Sequence, residues 1–125
     1  MKRKQNKTHV YLLHFDSPIS EHHTCQHYIG FAECLQQRIA QHRRGDGARL
    51  TQVAKERGIG FRVVRVWEGD RKLERSLKNR KHASHFCPVC NPKAAQLAMF
   101  ADDEHLMNLV DIANHDSLIT EDVRF

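Results

Sequence analysis

Hydrophobic and polar positions follow two periods along this chain, and the places where one gives way to the other mark its elements. His9-Val10-Tyr11-Leu12-Leu13-His14-Phe15 is an apolar and β-branched run stopped by Asp16-Ser17-Pro18, which predicts a buried strand. A polar stretch from Ile19 to Thr24 reads as a loop, and Gln26-His27-Tyr28-Ile29-Gly30-Phe31 as a second strand antiparallel to the first. The period then lengthens. Ala32, Leu35 and Ile39 share one face opposite Gln36, Gln37, Gln41 and Arg43, predicting a helix that ends at Arg43-Arg44-Gly45. A shorter helix fits Ala48 to Arg57, closed by Gly58.

Alternation returns in Phe61-Arg62-Val63-Val64-Arg65-Val66-Trp67, with Phe61, Val63, Arg65 and Trp67 expected on one face. Leu73 and Leu77 then set a helix to about Lys81, and Cys87-Pro88-Val89-Cys90 interrupts it. A final helix is expected from Ala94 to Asn114 on an apolar face that includes Leu97, Phe100, Leu106, Leu109, Val110 and Ala113. The order predicts an α+β fold: a small three-stranded antiparallel sheet flanked by helices, with a C-terminal helix. Residues 1–8 read as a flexible basic arm, 9–92 as one domain, and 93–125 as an acidic helical extension packed on it.

Composition narrows the class. A chain of 125 residues, 40% apolar and 28% charged, fits one globular domain. No apolar run approaches the roughly 20 residues of a membrane span, and none follows Met1-Lys2-Arg3-Lys4 as in a secretory signal. The expectation is a cytoplasmic protein with no membrane partner, its four cysteines being thiols or metal ligands rather than a disulfide framework. Cys25 and Cys34, flanking the second strand, read as buried apolar fillers. Charge is unevenly placed: residues 1–92 hold 18 Lys/Arg against 8 Asp/Glu, whereas 93–125 hold 2 against 7. The basic surplus is either a solvated surface or the footprint of a polyanion such as DNA.

Laid on these elements, the polar residues form a chemically coherent set. Tyr11 and Tyr28 fall on paired strands, Arg38 and His42 are spaced i, i+4 on one helix, and Glu74 lies on the later helix with Lys78 one turn on. Phosphodiester hydrolysis uses such groups: a fixed cation for the phosphate, a base for water and a carboxylate. Taken singly, each has an ordinary structural explanation, such as a core tyrosine or an exposed ion pair.

In order, these residues resemble the GIY-YIG nuclease superfamily. The first motif is represented by His9-Val10-Tyr11 and the second by Tyr28-Ile29-Gly30; the likeness continues through Arg38-Ile39-Ala40-Gln41-His42, Gly45, Gly47 and Leu73-Glu74-Arg75-Ser76-Leu77-Lys78. The resemblance implies a metal-dependent endonuclease hydrolysing DNA, with Glu74 holding Mg²⁺ or Mn²⁺, Arg38 stabilising the phosphoryl oxygens, and Tyr11, Tyr28 and His42 activating water. Which phenol loses its proton stays open. Where many members carry a phosphate-contacting asparagine this chain has Phe86, leaving Lys55, Lys78 and His85 as alternatives.

His82, His85, Cys87 and Cys90 form a second cluster, H-x2-H-x-C-x2-C, which is either a zinc site or a structural turn, the turn being preferred. The competing functions are therefore a nuclease, a non-catalytic nucleic-acid-binding module, and a zinc-dependent interaction protein.

Overall fold

A computed structural model describes residues 7–20, 26–80, 83–94 and 108–114. Strands β1 (His9–Phe15), β2 (His27–Ala32) and β3 (Phe61–Glu68) form an antiparallel sheet in the order β2-β1-β3. Helices α1 (Leu35–Arg44) and α2 (Arg49–Glu56) join β2 to β3, and α3 (Arg71–Asn79) and the short α4 (Ala83–Phe86) follow. The fold is α+β, as the hydrophobic periods predict.

Because β1 is the central strand, its side chains are buried on both faces, which explains its unbroken apolar run. Tyr11, Leu13 and Phe15 enter one core with Leu35 and Ile39 of α1 and Ala54 of α2. Val10 and Leu12 enter the other with Ile29, Leu77 of α3 and Cys87. The sheet is thus sandwiched between helices, and residues three apart on β1, such as Tyr11 and His14, serve opposite faces.

The simple alternation expected in β3 fails at one position. Leu12 faces Arg65 whereas Leu13 faces Val63, so Val64 is an extra residue in the ladder. Such a bulge reverses the facing of everything beyond it. Phe61, Val63 and Val66 consequently share the first core, while Val64 and Trp67 pack on the second. Arg65 stacks on Trp67, 4.9 Å from its ring, and donates to the Phe86 carbonyl at 3.3 Å.

Helix ends follow their local chemistry. Gly45 closes α1 in the left-handed region (φ 86°), where its N–H meets the carbonyls of Gln41 and His42. The Asp70 carboxylate caps α3, accepting from Lys72 N–H at 3.0 Å and Leu73 N–H at 3.2 Å.

Of the expected final helix, residues 95–107 lie outside the described residues, as do the Asp102-Asp103-Glu104 cluster and the arm at 1–6. Residues 108–114 are helical: Ala113 is buried in the first core, and the Asn114 amide bridges the Val63 backbone with two 2.9 Å hydrogen bonds. Cys34 corrects its expectation as a buried filler: it is exposed at the start of α1. Cys25 lies outside the described residues. Among the described residues, no helix is long and apolar enough to cross a membrane.

Candidate functional site

The five residues singled out for phosphodiester chemistry converge at one edge of the sheet. Tyr28 from β2, Arg38 from α1 and Glu74 from α3 line an open cleft of about 450 Å³, together with Phe31, Gln37, Gln41 and Arg71. Tyr11 and His42 lie directly beneath it, both fully buried. The Tyr28 ring is 6.3 Å from that of Tyr11 and 5.6 Å from that of His42.

Two glycines make this arrangement possible. Gly30 is the cross-strand partner of Tyr11, and a Cβ there would collide with the Tyr11 phenol and sit 2.8 Å from the Tyr28 ring. Gly47, in the turn after α1, lies so close to the His42 imidazole that a Cβ would overlap Nδ1. The glycine of Tyr28-Ile29-Gly30 is therefore the space that the Tyr11 ring occupies.

The hydrogen bonds at His42 define its tautomer. The Thr51 hydroxyl donates to the Ala48 carbonyl at 2.8 Å, so its oxygen accepts from His42 Nδ1–H at 2.9 Å. The Ala48 N–H also approaches Nδ1, but at 3.4 Å, beyond a good hydrogen bond. Nε2 is left with its lone pair, and the Tyr11 O–H donates to it at 2.5 Å. Burial, reinforced by the neighbouring charges of Arg38 and Arg43, lowers the His42 pKa to about 4, so the ring is neutral near pH 7. Burial and the nearby Tyr28 push the Tyr11 phenol well above its ordinary value, against the opposing pull of Arg38. The pair is a protonated phenol and a neutral imidazole.

Cations surround the cleft. Arg38 donates to Gln41 Oε1 at 3.0 Å through one terminal nitrogen, while its buried Nε has no hydrogen-bond partner among the described residues. Arg71 stacks over Phe31 at 4.4 Å, and the Lys78 ammonium lies 5.5 Å from the Tyr28 ring centre. Glu74 is mostly shielded, with one oxygen 3.1 Å from Lys78 Nζ and the other 3.6 Å from Arg71 Nη1. Lys72, Arg75 and Arg80 extend the basic surface along the outer side of α3.

The expectation of Mg²⁺ or Mn²⁺ as the cofactor is corrected by the donor chemistry. Those hard ions take oxygen ligands, but among the described residues the group placed to hold a metal is His14, His27, Cys87 and Cys90, two nitrogens and two sulfurs. Both Glu74 oxygens, meanwhile, face cations. The zinc-type cluster, set second to a structural turn on sequence grounds, is geometrically formed, but not from the four residues anticipated. Cys87 and Cys90 belong to it. His85 is exposed within α4, its carbonyl accepting from the Asn91 amide, and His82 lies outside the described residues.

Sequence spacing does not single out His14 and His27 as ligands. They face each other across β1 and β2, their rings 5.1 Å apart, on the face that Cys87 covers. Burial lowers the pKa of both imidazoles, with Arg62 contributing at His14 and His14 at His27, while burial and Cys87 raise that of the Cys90 thiol. The available signal was a histidine near the end of each apolar strand, in register only once the hairpin pairing is fixed.

Of the other phosphate-contact alternatives, Lys78 lies by the cleft, whereas Lys55 packs beside Gly45 and lines a separate depression behind His42. Phe86 stacks edge-on against Trp67 at 5.9 Å and is a core residue. No protein-family model matches the chain, and neither a curated protein nor a solved structure does.

Proposed function

We propose that this protein is a nuclease that hydrolyses DNA phosphodiester bonds in the cleft between α1, α3 and β2, using the tyrosines, arginine and histidine that the GIY-YIG resemblance singles out but not its Mg²⁺ or Mn²⁺ site. The observation that carries this reading is the stacking of two layers at one place: Tyr28, Arg38 and Glu74 on the cleft surface, and the Tyr11–His42 hydrogen bond beneath them. The five residues come from four elements, β1, β2, α1 and α3, so no single structural need accounts for all of them.

In this reading a phosphate enters against Arg38, whose buried Nε, without a hydrogen-bond partner among the described residues, supplies a donor for an anionic oxygen. Arg38 stabilises the charge that builds on the phosphoryl group as water attacks phosphorus and the bond to the leaving oxygen breaks. The water's proton passes to Tyr11 Oη while the Tyr11 proton moves to His42 Nε2; the leaving alkoxide takes a proton from solvent. Neighbouring guanidinium groups oppose a charged imidazole, and the incoming phosphate offsets them. Glu74 holds Arg71 and Lys78 at the rim, where they meet flanking phosphates together with Lys72, Arg75 and Arg80.

The test is strand cleavage on duplex, nicked, flapped and branched DNA, with and without added divalent cations, comparing wild type with Arg38→Ala and Glu74→Gln. Cleavage by wild type that drops at least about tenfold in each variant supports the reading. Salt-sensitive binding without cleavage of any substrate would assign the chain to the non-catalytic binding class.

A further inference from the structure

We propose that His14, His27, Cys87 and Cys90 form a structural zinc site that fastens the segment after α3 to the sheet face that carries Val10, Leu12 and Ile29. This inference is independent of the proposed nuclease activity.

The donor atoms are spaced as ligands around one tetrahedral centre. All four donor atoms lie within 4.8 Å of one another. His14 Nδ1 is 3.3 Å from His27 Nε2, 3.6 Å from Cys87 Sγ and 3.8 Å from Cys90 Sγ, and Cys90 Sγ is 3.5 Å from His27 Nε2. A tetrahedral zinc with Zn–N of about 2.0–2.1 Å and Zn–S of about 2.3 Å requires edges of about 3.3 Å between nitrogens and about 3.5 Å between nitrogen and sulfur. The observed edges match both classes.

Hydrogen bonding does not explain the cluster. His14 Nδ1 has three close neighbours but carries either one lone pair or one proton, so it can satisfy only one of them. Convergence of lone pairs on one point is what a cation resolves. Neither cysteine is in a disulfide, and the backbone around them is a closed turn: Asn91 N–H bonds the Cys87 carbonyl at 2.8 Å, enclosing Pro88, Val89 and Cys90.

The donor set selects the metal and its role. Two thiolates and two imidazoles suit zinc rather than a hard, oxygen-seeking ion. Four protein ligands leave no position for water or substrate, so the site is structural. His14 and His27 come from paired strands, whereas Cys87 and Cys90 lie at least 60 positions further along the chain. The metal therefore closes a long loop, and Cys87 is already seated in the second core beside Val10, Leu12, Ile29 and Leu77.

Metal content of the full chain, purified under reducing conditions with zinc supplied, tests this directly. The expected result is one zinc per chain. Cobalt substitution should give the intense visible bands of a tetrahedral site together with thiolate-to-metal charge transfer. Cys90→Ser and His27→Gln should lower zinc affinity at least tenfold, whereas His85→Ala and Cys34→Ser should retain it. Substoichiometric zinc in wild type, an octahedral cobalt spectrum, or full retention of zinc by both Cys90→Ser and His27→Gln would each overturn the assignment. The cobalt spectrum is read on wild type, so the test stands even if a variant fails to fold.

Discussion

The phenolic oxygen of Tyr11 lies 2.5 Å from Nε2 of His42, joining the central strand to the first helix through a buried hydrogen bond. Thr51 fixes the ring from its far side, so three elements share one chain of hydrogen bonds. Such a bond is expensive to disturb, because losing one partner leaves the other buried and unsatisfied. It also gives the neighbouring glycines a purpose that backbone conformation alone does not.

Gly30→Ala should damage the site without altering any polar group in it. The new methyl must displace the Tyr11 ring, and the neighbours offered to it are aromatic atoms packed in the core. A stability loss of about 1–3 kcal/mol is expected from overpacking, with loss of DNA cleavage beyond what the folded fraction explains. Chemical denaturation together with specific activity checks this; an alanine variant as stable and active as wild type would contradict the close packing.

His42 should make stability depend on mildly acidic pH. Its pKa is about 4 in the folded chain, against about 6.5 when unfolded. Above the unfolded value both states are neutral and the full stability is present. As pH falls below it, only the unfolded chain takes up the proton, so stability declines until pH reaches the folded value, by about 3 kcal/mol in all. Arg38 and Arg43 face the ring and act in the same direction as burial, and Tyr11 and Tyr28 pack edge-on against it. Urea midpoints of wild type and His42→Gln at about pH 7.5 and about pH 4.5 should show a smaller decline in the variant, since other histidines are common to both. Parallel declines would place the titration elsewhere.

Arg38→Lys should separate transition-state stabilisation from docking. Lysine keeps the charge but loses the planar fork and the Nε donor that lies buried beneath the cleft. Turnover at saturating DNA should fall by about 10²-fold, as when a preorganised donor is removed, while affinity changes little. A fall in affinity at unchanged turnover would make Arg38 a docking residue.

Much of the framework was legible from periodicity: β1 from its double-faced apolar run, α1 from Leu35 and Ile39, and the order of elements that brings Tyr11, Tyr28, Arg38, His42 and Glu74 to one edge. What escaped depended on pairing across the sheet. The bulge at Val64 leaves no mark on local composition, yet it puts Val66 in the core of Phe61 and Val63 and turns Trp67 to the other. His14 and His27 look like ordinary strand residues until the register sets them opposite each other, while Cys87 and Cys90 looked self-sufficient beside the histidines nearest in sequence. Metal donors chosen by sequence proximity missed partners supplied by strand register.

Tyr11→Phe offers the most direct measurement of the central claim. The substitution keeps the ring in the space above Gly30 and removes only the hydroxyl bonded to His42. The rate of DNA strand scission under single-turnover conditions, measured alongside DNA affinity, should fall by about 10²–10⁴-fold with binding retained. Equal scission rates in wild type and Tyr11→Phe would contradict the assignment of the Tyr11–His42 pair to the hydrolytic step.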